Sequence, residues 1–97
     1  MVTRIVRMEF EPEKLGEFHE IFDATKHLIR AFPGCLHLEL HQDARHPEVR
    51  YTFSMWESEE ALNAYRASEL FGSVWPKTKT LFKGKPLAYS LIKLQEV

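Results

Sequence analysis

Apolar residues change their spacing several times along the chain, and each change marks an element. Residues 2–10 alternate, with Val6, Met8 and Phe10 on one side and Arg7 and Glu9 on the other, which predicts a strand. Pro12 suits a first helical turn, where its missing N–H costs nothing. From Glu13 to about Ala31, the apolar residues Leu15, Phe18, Ile21, Phe22, Leu28 and Ile29 recur at steps of three and four, the stripe of a long amphipathic helix. Phe32-Pro33-Gly34 stops it, because proline disfavours helix in the residue before it and glycine permits a turn.

Residues 35–42 alternate cleanly, with Leu36, Leu38 and Leu40 against His37, Glu39 and His41. The polar stretch Gln42 to Glu48 is a turn. Residues 49–56 alternate again, Val49, Tyr51, Phe53 and Met55 against Arg50, Thr52, Ser54 and Trp56, so the two segments predict an antiparallel hairpin. Ser58 reads as a helix N-cap, and Glu59 and Glu60 complement the helix dipole. Ala61, Leu62, Tyr65 and Leu70 carry that helix's buried stripe. Gly72 and Pro76 interrupt the pattern, which predicts a second short helix from about Pro76 to Phe82. Residues 87–95 form a last strand, with Leu87, Tyr89 and Leu91 against Ala88, Ser90 and Ile92.

The order β-α-β-β-α-β predicts a ferredoxin-like α+β fold in a single domain spanning residues 1–97. Right-handed crossovers give a four-stranded antiparallel sheet with helices on one face. The bare face mixes polar groups with Ile5, Trp56 and Ile92, and that much apolar area on a small domain points to a partner. Self-pairing about a two-fold axis is the commonest solution, so a homodimer is expected.

Composition sharpens this picture. Seven Phe, three Tyr and two Trp in 97 residues are more aromatic bulk than a thin monomer core requires. Thirteen basic and fourteen acidic residues are interspersed, without the clustered basic face of a nucleic-acid binder. No stretch approaches the ~20 apolar residues of a membrane span. The N-terminus meets charge too early for a signal peptide, and one cysteine, Cys35, excludes an internal disulfide. A cytoplasmic protein is expected.

Two stretches carry a family resemblance. FPGCLHLELHQD (residues 32–43) and MWESEEALNAYRASELF (residues 55–71), with a Trp ending the third strand and S-E-E-A opening the next helix, resemble the antibiotic-biosynthesis-monooxygenase family from about Ile5 to Ile92. The resemblance implies a dimeric α+β barrel. It also implies one of two chemistries: oxidation of polycyclic phenols to quinones with O2 and no cofactor, or haem degradation. The strand-end tryptophan of the quinone-forming type matches Trp56, while its strand asparagine and helix tyrosine fall on Thr52 and Leu62. The Asn-Trp-His set of the haem degraders falls near Val6, Tyr65 and Trp75 and is not kept. Many relatives carry a histidine where this chain has Tyr65.

The expected function is therefore a cofactor-independent monooxygenase of a small aromatic or polycyclic phenol. The alternatives are a non-catalytic ligand-binding or stress-associated dimer, and haem binding. Trp56, Trp75 and Phe71 are the expected pocket lining; the dull alternative for such aromatics is packing. Tyr65 is a general acid or hydrogen-bond donor, or a helix residue with its hydroxyl in water. His37 and His41 are candidate bases. With Glu39 they form H-x-E-x-H on one strand face, a set that suits an iron triad or a proton relay. Same-face neighbours stand roughly 6.5–7 Å apart, wide for ligands of one ion, so polar groups inside the barrel interface are the expected role and no metal site is assigned. Cys35 reads as a small buried residue on the same face as His37. His19, His27 and His46 read as solvated or rim positions, and Lys77, Lys79, Lys83 and Lys85 as a basic cluster on a solvated face.

Overall fold

A computed structural model describes residues 1–97. In chain order the elements are β1 (Val2–Glu9), a 3-10 turn (Pro12–Lys14), α1 (Leu15–Arg30), β2 (Cys35–Gln42), β3 (Val49–Trp56), α2 (Glu59–Arg66), α3 (Glu69–Lys79) and β4 (Leu87–Leu91). The strands lie in the order β2-β3-β1-β4, and every neighbouring pair is antiparallel. This is the ferredoxin-like sheet the pattern predicts. No helix is long and apolar enough to cross a membrane.

Residues opposite one another in an antiparallel ladder share a face. Arg4, Val6, Met8, Leu38, Thr52, Ser54, Trp56 and Ala88 form one set; they border the same space as Phe18, Ile29, Leu62 and Trp75 of the helices. The other set carries Ile5 between Phe53 and Tyr89, Thr3 between Met55 and Leu91, and Arg7 between Tyr51 and Leu87. His37, Glu39 and His41 extend it across β2, opposite Met55, Phe53 and Tyr51. Leu87, Tyr89 and Leu91 of this set are exposed.

These faces correct three expectations. Trp56 does not stand on the bare face; it is 1% exposed and packs on the helix side with Val2, Cys35 and Leu62. The more polar side of β3 is the inner one, because its polar groups find partners there. Arg50 Nε donates to His19 Nε2 of α1 at 3.2 Å, which also ties down a histidine expected at the rim. Trp56 Nε1 donates to Ser54 Oγ at 3.0 Å. Ile92 follows the end of β4 rather than lying within a strand reaching residue 95, and it is exposed. Cys35 and His37 do not share a face either. Cys35 pairs with Trp56 and His37 with Met55, leaving Leu36 as the extra residue of a bulge that resets the alternation.

The second helical region also differs from its pattern. Ser58 caps α2, its Oγ accepting from Ala61 N–H at 3.1 Å, as expected. A second serine cap at Ser68, accepting from Phe71 N–H at 3.2 Å, starts α3 seven residues before Pro76. Pro76 therefore lies inside α3, where it removes the hydrogen bond that would reach the Gly72 carbonyl without ending the helix.

Two buried clusters sit under the helices. Val2, Cys35, Trp56 and Leu62 form one, with Phe32, Ala61 and Tyr65 against it. Met8, Phe10, Phe18 and Leu81 form the other, bordered by Val6, Leu15, Trp75 and Phe82. Gly34 makes the approach of α2 to the start of β2 possible. Its φ is +88°, and a Cβ there would lie 2.5 Å from the Ala61 Cβ.

Candidate functional site

Between the two clusters, the sheet and helices enclose a cavity of about 160 Å³. An engineered apolar cavity of roughly 150 Å³ is known to stay dry and take up benzene, so this volume is on the scale of one aromatic ring. β1, β2 and β3 supply the floor through Val6, Met8, Leu38, Thr52 and Ser54, and α1 supplies Phe18, Phe22 and Ile29.

The remaining wall is a continuous run of aromatic rings. Trp56 stacks on Tyr65 at a centroid distance of 4.9 Å, Tyr65 meets Phe71 edge-on at 5.2 Å, and Phe71 stacks on Trp75 at 5.7 Å. Phe32 closes the far side of Tyr65 at 5.4 Å, and Phe82 meets Trp75 at 5.6 Å. Residues 65, 71 and 75 come from α2 and α3, so the early start of α3 is what brings Phe71 and Trp75 onto one helix, one turn apart. The four aromatic residues singled out from the sequence, Trp56, Tyr65, Phe71 and Trp75, all line this cavity.

Tyr65 is the most perturbed acid in the wall. Burial, and to a smaller degree the neighbouring Cys35, pushes its phenol up to about 12. No hydrogen bond to a protein group contributes to that shift, and the half-buried hydroxyl is a neutral donor with no protein partner. Ser54 Oγ and Thr78 Oγ1 are already engaged, the first by Trp56 Nε1 and the second with the Val74 carbonyl at 2.9 Å. No Asp, Glu, His, Lys or Cys lines the cavity.

Two polar residues that the sequence reading passed over complete the lining. Arg4 projects from β1 and Arg66 from the last turn of α2. Arg4 Nη1 donates to Ser90 Oγ at 3.2 Å, which holds it against the edge strand. Neither guanidinium is among the chain's ion pairs. A signal for Arg4 was present: it shares the parity of Val6 and Met8, a charge on the apolar side of a strand.

The two expected bases stand elsewhere. His37 and His41 lie on the bare sheet face, and the sheet separates them from Tyr65. His37 Nε2 and His41 Nε2 meet the two oxygens of Glu39 at 2.5 and 2.6 Å. Those hydrogen bonds hold the Glu39 carboxyl below the ordinary glutamate range. Both carboxylate oxygens are taken by imidazoles, and no group of three His, Cys, Asp or Glu is placed to hold a metal ion. The H-x-E-x-H pattern is a hydrogen-bonded triad. Cys35 is buried, and burial raises its thiol pKa above the ordinary range, against the smaller opposing effects of the His37 carbonyl and the Arg30 charge.

A family model described as antibiotic biosynthesis monooxygenase matches residues 1–74, which include Trp56, Tyr65 and Phe71. No protein of curated function matches the sequence. Among solved structures, one described as an antibiotic biosynthesis monooxygenase superposes with a TM-score of 0.91 at 19% identity, covering 98% of this chain and 100% of the other. A conserved protein from Methanosarcina mazei gives 0.90 at 20% identity, covering 96% and 93%. A protein from Mycobacterium tuberculosis gives 0.89 at 23% identity, covering 98% and 96%. At these identities the likeness is one of fold.

Proposed function

The chain belongs to the antibiotic biosynthesis monooxygenase family, and from that premise we propose that it is a homodimeric, cofactor-independent monooxygenase of a small aromatic phenol. The observation that carries the reading is the cavity itself: a ring-sized, largely apolar space walled by Trp56, Tyr65, Phe71 and Trp75, with one uncommitted hydroxyl in the wall.

The chemistry such a site suits needs little from the protein. A phenol with an unsubstituted ring carbon supplies the electrons, and O2 is the oxidant. One oxygen atom becomes the new quinone carbonyl; the other leaves as water with the phenolic and ring hydrogens. The aromatic wall orients the ring and excludes water. The Tyr65 hydroxyl, still protonated at any physiological pH, donates to the oxyanion that develops on the ring. The size of the cavity favours one or two rings over a larger polycycle.

The proposed dimer uses the bare sheet face. Ile5, Tyr51, Phe53, Met55, Leu87, Tyr89 and Leu91 make it largely apolar, and a second copy of the same sheet is the simplest cover. The His37–Glu39–His41 triad would then lie in the interface, where buried polar atoms require partners and these three supply one another's.

Thr52 and Leu62 favour a second reading. They stand where the quinone-forming relatives would carry asparagine and tyrosine, and both line the cavity, so the site lacks those two polar groups. On that reading the protein binds a small aromatic without turning it over. An oxygen electrode separates the two. The monooxygenase reading expects O2 uptake and quinone absorbance when purified protein meets a naphthol-type substrate, abolished by removing O2. Tight binding of the same phenol with uptake no faster than in buffer would leave the binding reading standing instead.

A further inference from the structure

Two guanidinium groups border a cavity that is otherwise almost wholly apolar. Arg4 and Arg66 line the same space, each carries a fixed positive charge, and neither is paired with a carboxylate. Arg4 is half-buried and anchored on its far side by Ser90 Oγ at 3.2 Å. Like charges brought together at an apolar wall repel, and burial followed by the Arg66 charge lowers the Arg4 pKa below the ordinary arginine value. Such an arrangement is stabilised when an anion enters between the two forks.

The rest of the lining adds a second constraint. It holds no carboxylate, imidazole, amine or thiol, so no side chain there can take a proton from a neutral phenol. His37 and His41, the histidines the sequence offers for that task, are behind the sheet. The phenol of Tyr65 holds its proton up to about pH 12 and serves only as a donor.

We propose that the cavity binds its aromatic ligand as an oxyanion, with Arg4 and Arg66 gripping the charged oxygen and the aromatic wall taking the ring. The proposal rests on the aromatic-ligand reading above and narrows it to ligands ionised before or on entry, phenolates or aryl carboxylates. The proton goes to solvent and never to the protein. For the oxidation itself this placement is apt, because a phenolate surrenders an electron to O2 far more readily than the neutral phenol. Tyr65 then donates to the same oxygen or to the reduced dioxygen beside it.

The test is calorimetric titration of the full chain with matched pairs: para-nitrophenolate, at a pH where it is ionised, against para-nitroanisole, and benzoate against methyl benzoate. We expect each anion to bind at least tenfold more tightly than its neutral partner, with affinity falling as salt is added. Arg66→Gln, on an exposed position of α2, should weaken the anion about tenfold and leave the neutral partner unchanged. Arg4→Gln should do the same. Arg4→Lys, which keeps charge and the reach to Ser90, should recover part of the loss and guards against a folding defect. Preference for the phenolate alone assigns the site to ionised phenols; preference for both anions assigns it to aryl oxyanions generally. Equal affinity for anion and neutral partner, no binding of either, or variants that bind the anions as wild type does would overturn the proposal. O2 uptake is scored separately: anion binding that depends on both arginines without uptake sinks the monooxygenase reading and leaves this one intact.

Discussion

The rings of Trp56 and Tyr65 stack with their centroids 4.9 Å apart and their planes inclined by 25°. One ring comes from the end of β3 and the other from α2, so the stack joins the buried cluster between sheet and helices to the wall of the cavity. Each half has a different part. Trp56, 1% exposed with its indole N–H given to Ser54, is a structural post. Tyr65 presents a hydroxyl that no protein group uses.

Tyr65→Phe keeps the stack and removes only that hydroxyl. The melting temperature should therefore stay within a few degrees of wild type. Turnover of a phenol substrate should fall on the order of 100-fold, the loss seen when one oxyanion donor is deleted. A variant as active as wild type would remove Tyr65 from the chemistry.

Trp56→Ala should behave in the opposite way. It empties a fully buried site and strands Ser54 Oγ, and replacing a buried Trp by Ala costs about 3–5 kcal/mol. For a chain of this size that is a large part of the whole stability. Urea denaturation should show the loss, with Trp56→Phe recovering much of it.

The tyrosine also gives a pH signature. Its folded-state pKa is raised, so the folded chain keeps this proton longer than the unfolded chain does. The stability tied to the neutral phenol is thus present below the ordinary tyrosine value of ~10 and is lost as pH climbs through about 12. An ultraviolet titration should show one late tyrosine that disappears in Tyr65→Phe.

How legible all this was in the sequence depends on the element. The order of strands and helices followed from periodicity, because residues such as Leu36, Leu38 and Leu40 or Phe18, Ile21 and Phe22 repeat at the spacing of their element. Which face of β3 met the helices did not follow, since both of its faces carry large apolar groups and only the ladder with β1 decides between them. The bulge at Leu36 was invisible for a related reason: a perfect alternation hides an extra residue when that residue is apolar too. The aromatic wall was found from residue type. Arg4 and Arg66 were not, because an arginine in a strand or at a helix end reads as a surface charge until the cavity beside it is seen. The two histidines of H-x-E-x-H were legible as a cluster, but the side of the sheet they occupy belongs to the fold.

Gly34 offers a sharper check on the junction between α1 and β2. Gly34→Ala places a Cβ in left-handed backbone and drives it into the Ala61 methyl, 2.5 Å away. The backbone strain alone costs roughly 1–2 kcal/mol, which corresponds to a fall of at least about 4–8 °C in melting temperature. Adding Ala61→Gly should restore the part due to the clash and leave the part due to φ.

The triad predicts an acid-side effect. Glu39 is held below the ordinary glutamate range, first by its hydrogen bonds to His37 and His41. Because the folded pKa is depressed, the associated stability is present above the ordinary glutamate pKa and is lost as pH falls through the folded value. Following the Glu39 carboxyl carbon by NMR, His37→Gln or His41→Gln should each move the titration back toward ordinary glutamate. Unchanged titration in both variants would mean that the hydrogen bonds are not formed in solution.

The bare sheet face yields the last prediction. Phe53 lies at its centre, opposite Ile5 on one side and Glu39 on the other, with the His37 ring 6.2 Å away. If this face is closed by a second copy, Phe53→Lys places two like charges in an apolar interface, where they lose hydration and compete with His37 and His41 for the Glu39 carboxylate opposite. The variant should sediment as a monomer at concentrations where the wild type is a dimer, with its far-ultraviolet circular dichroism retained because Phe53 supports neither buried cluster under the helices. Phe53→Leu, apolar and smaller, should remain dimeric. Wild-type protein that sediments as a monomer at micromolar concentration would dismiss the dimer outright, whatever Phe53→Lys does. A charged variant that stays dimeric would instead move the interface to another surface.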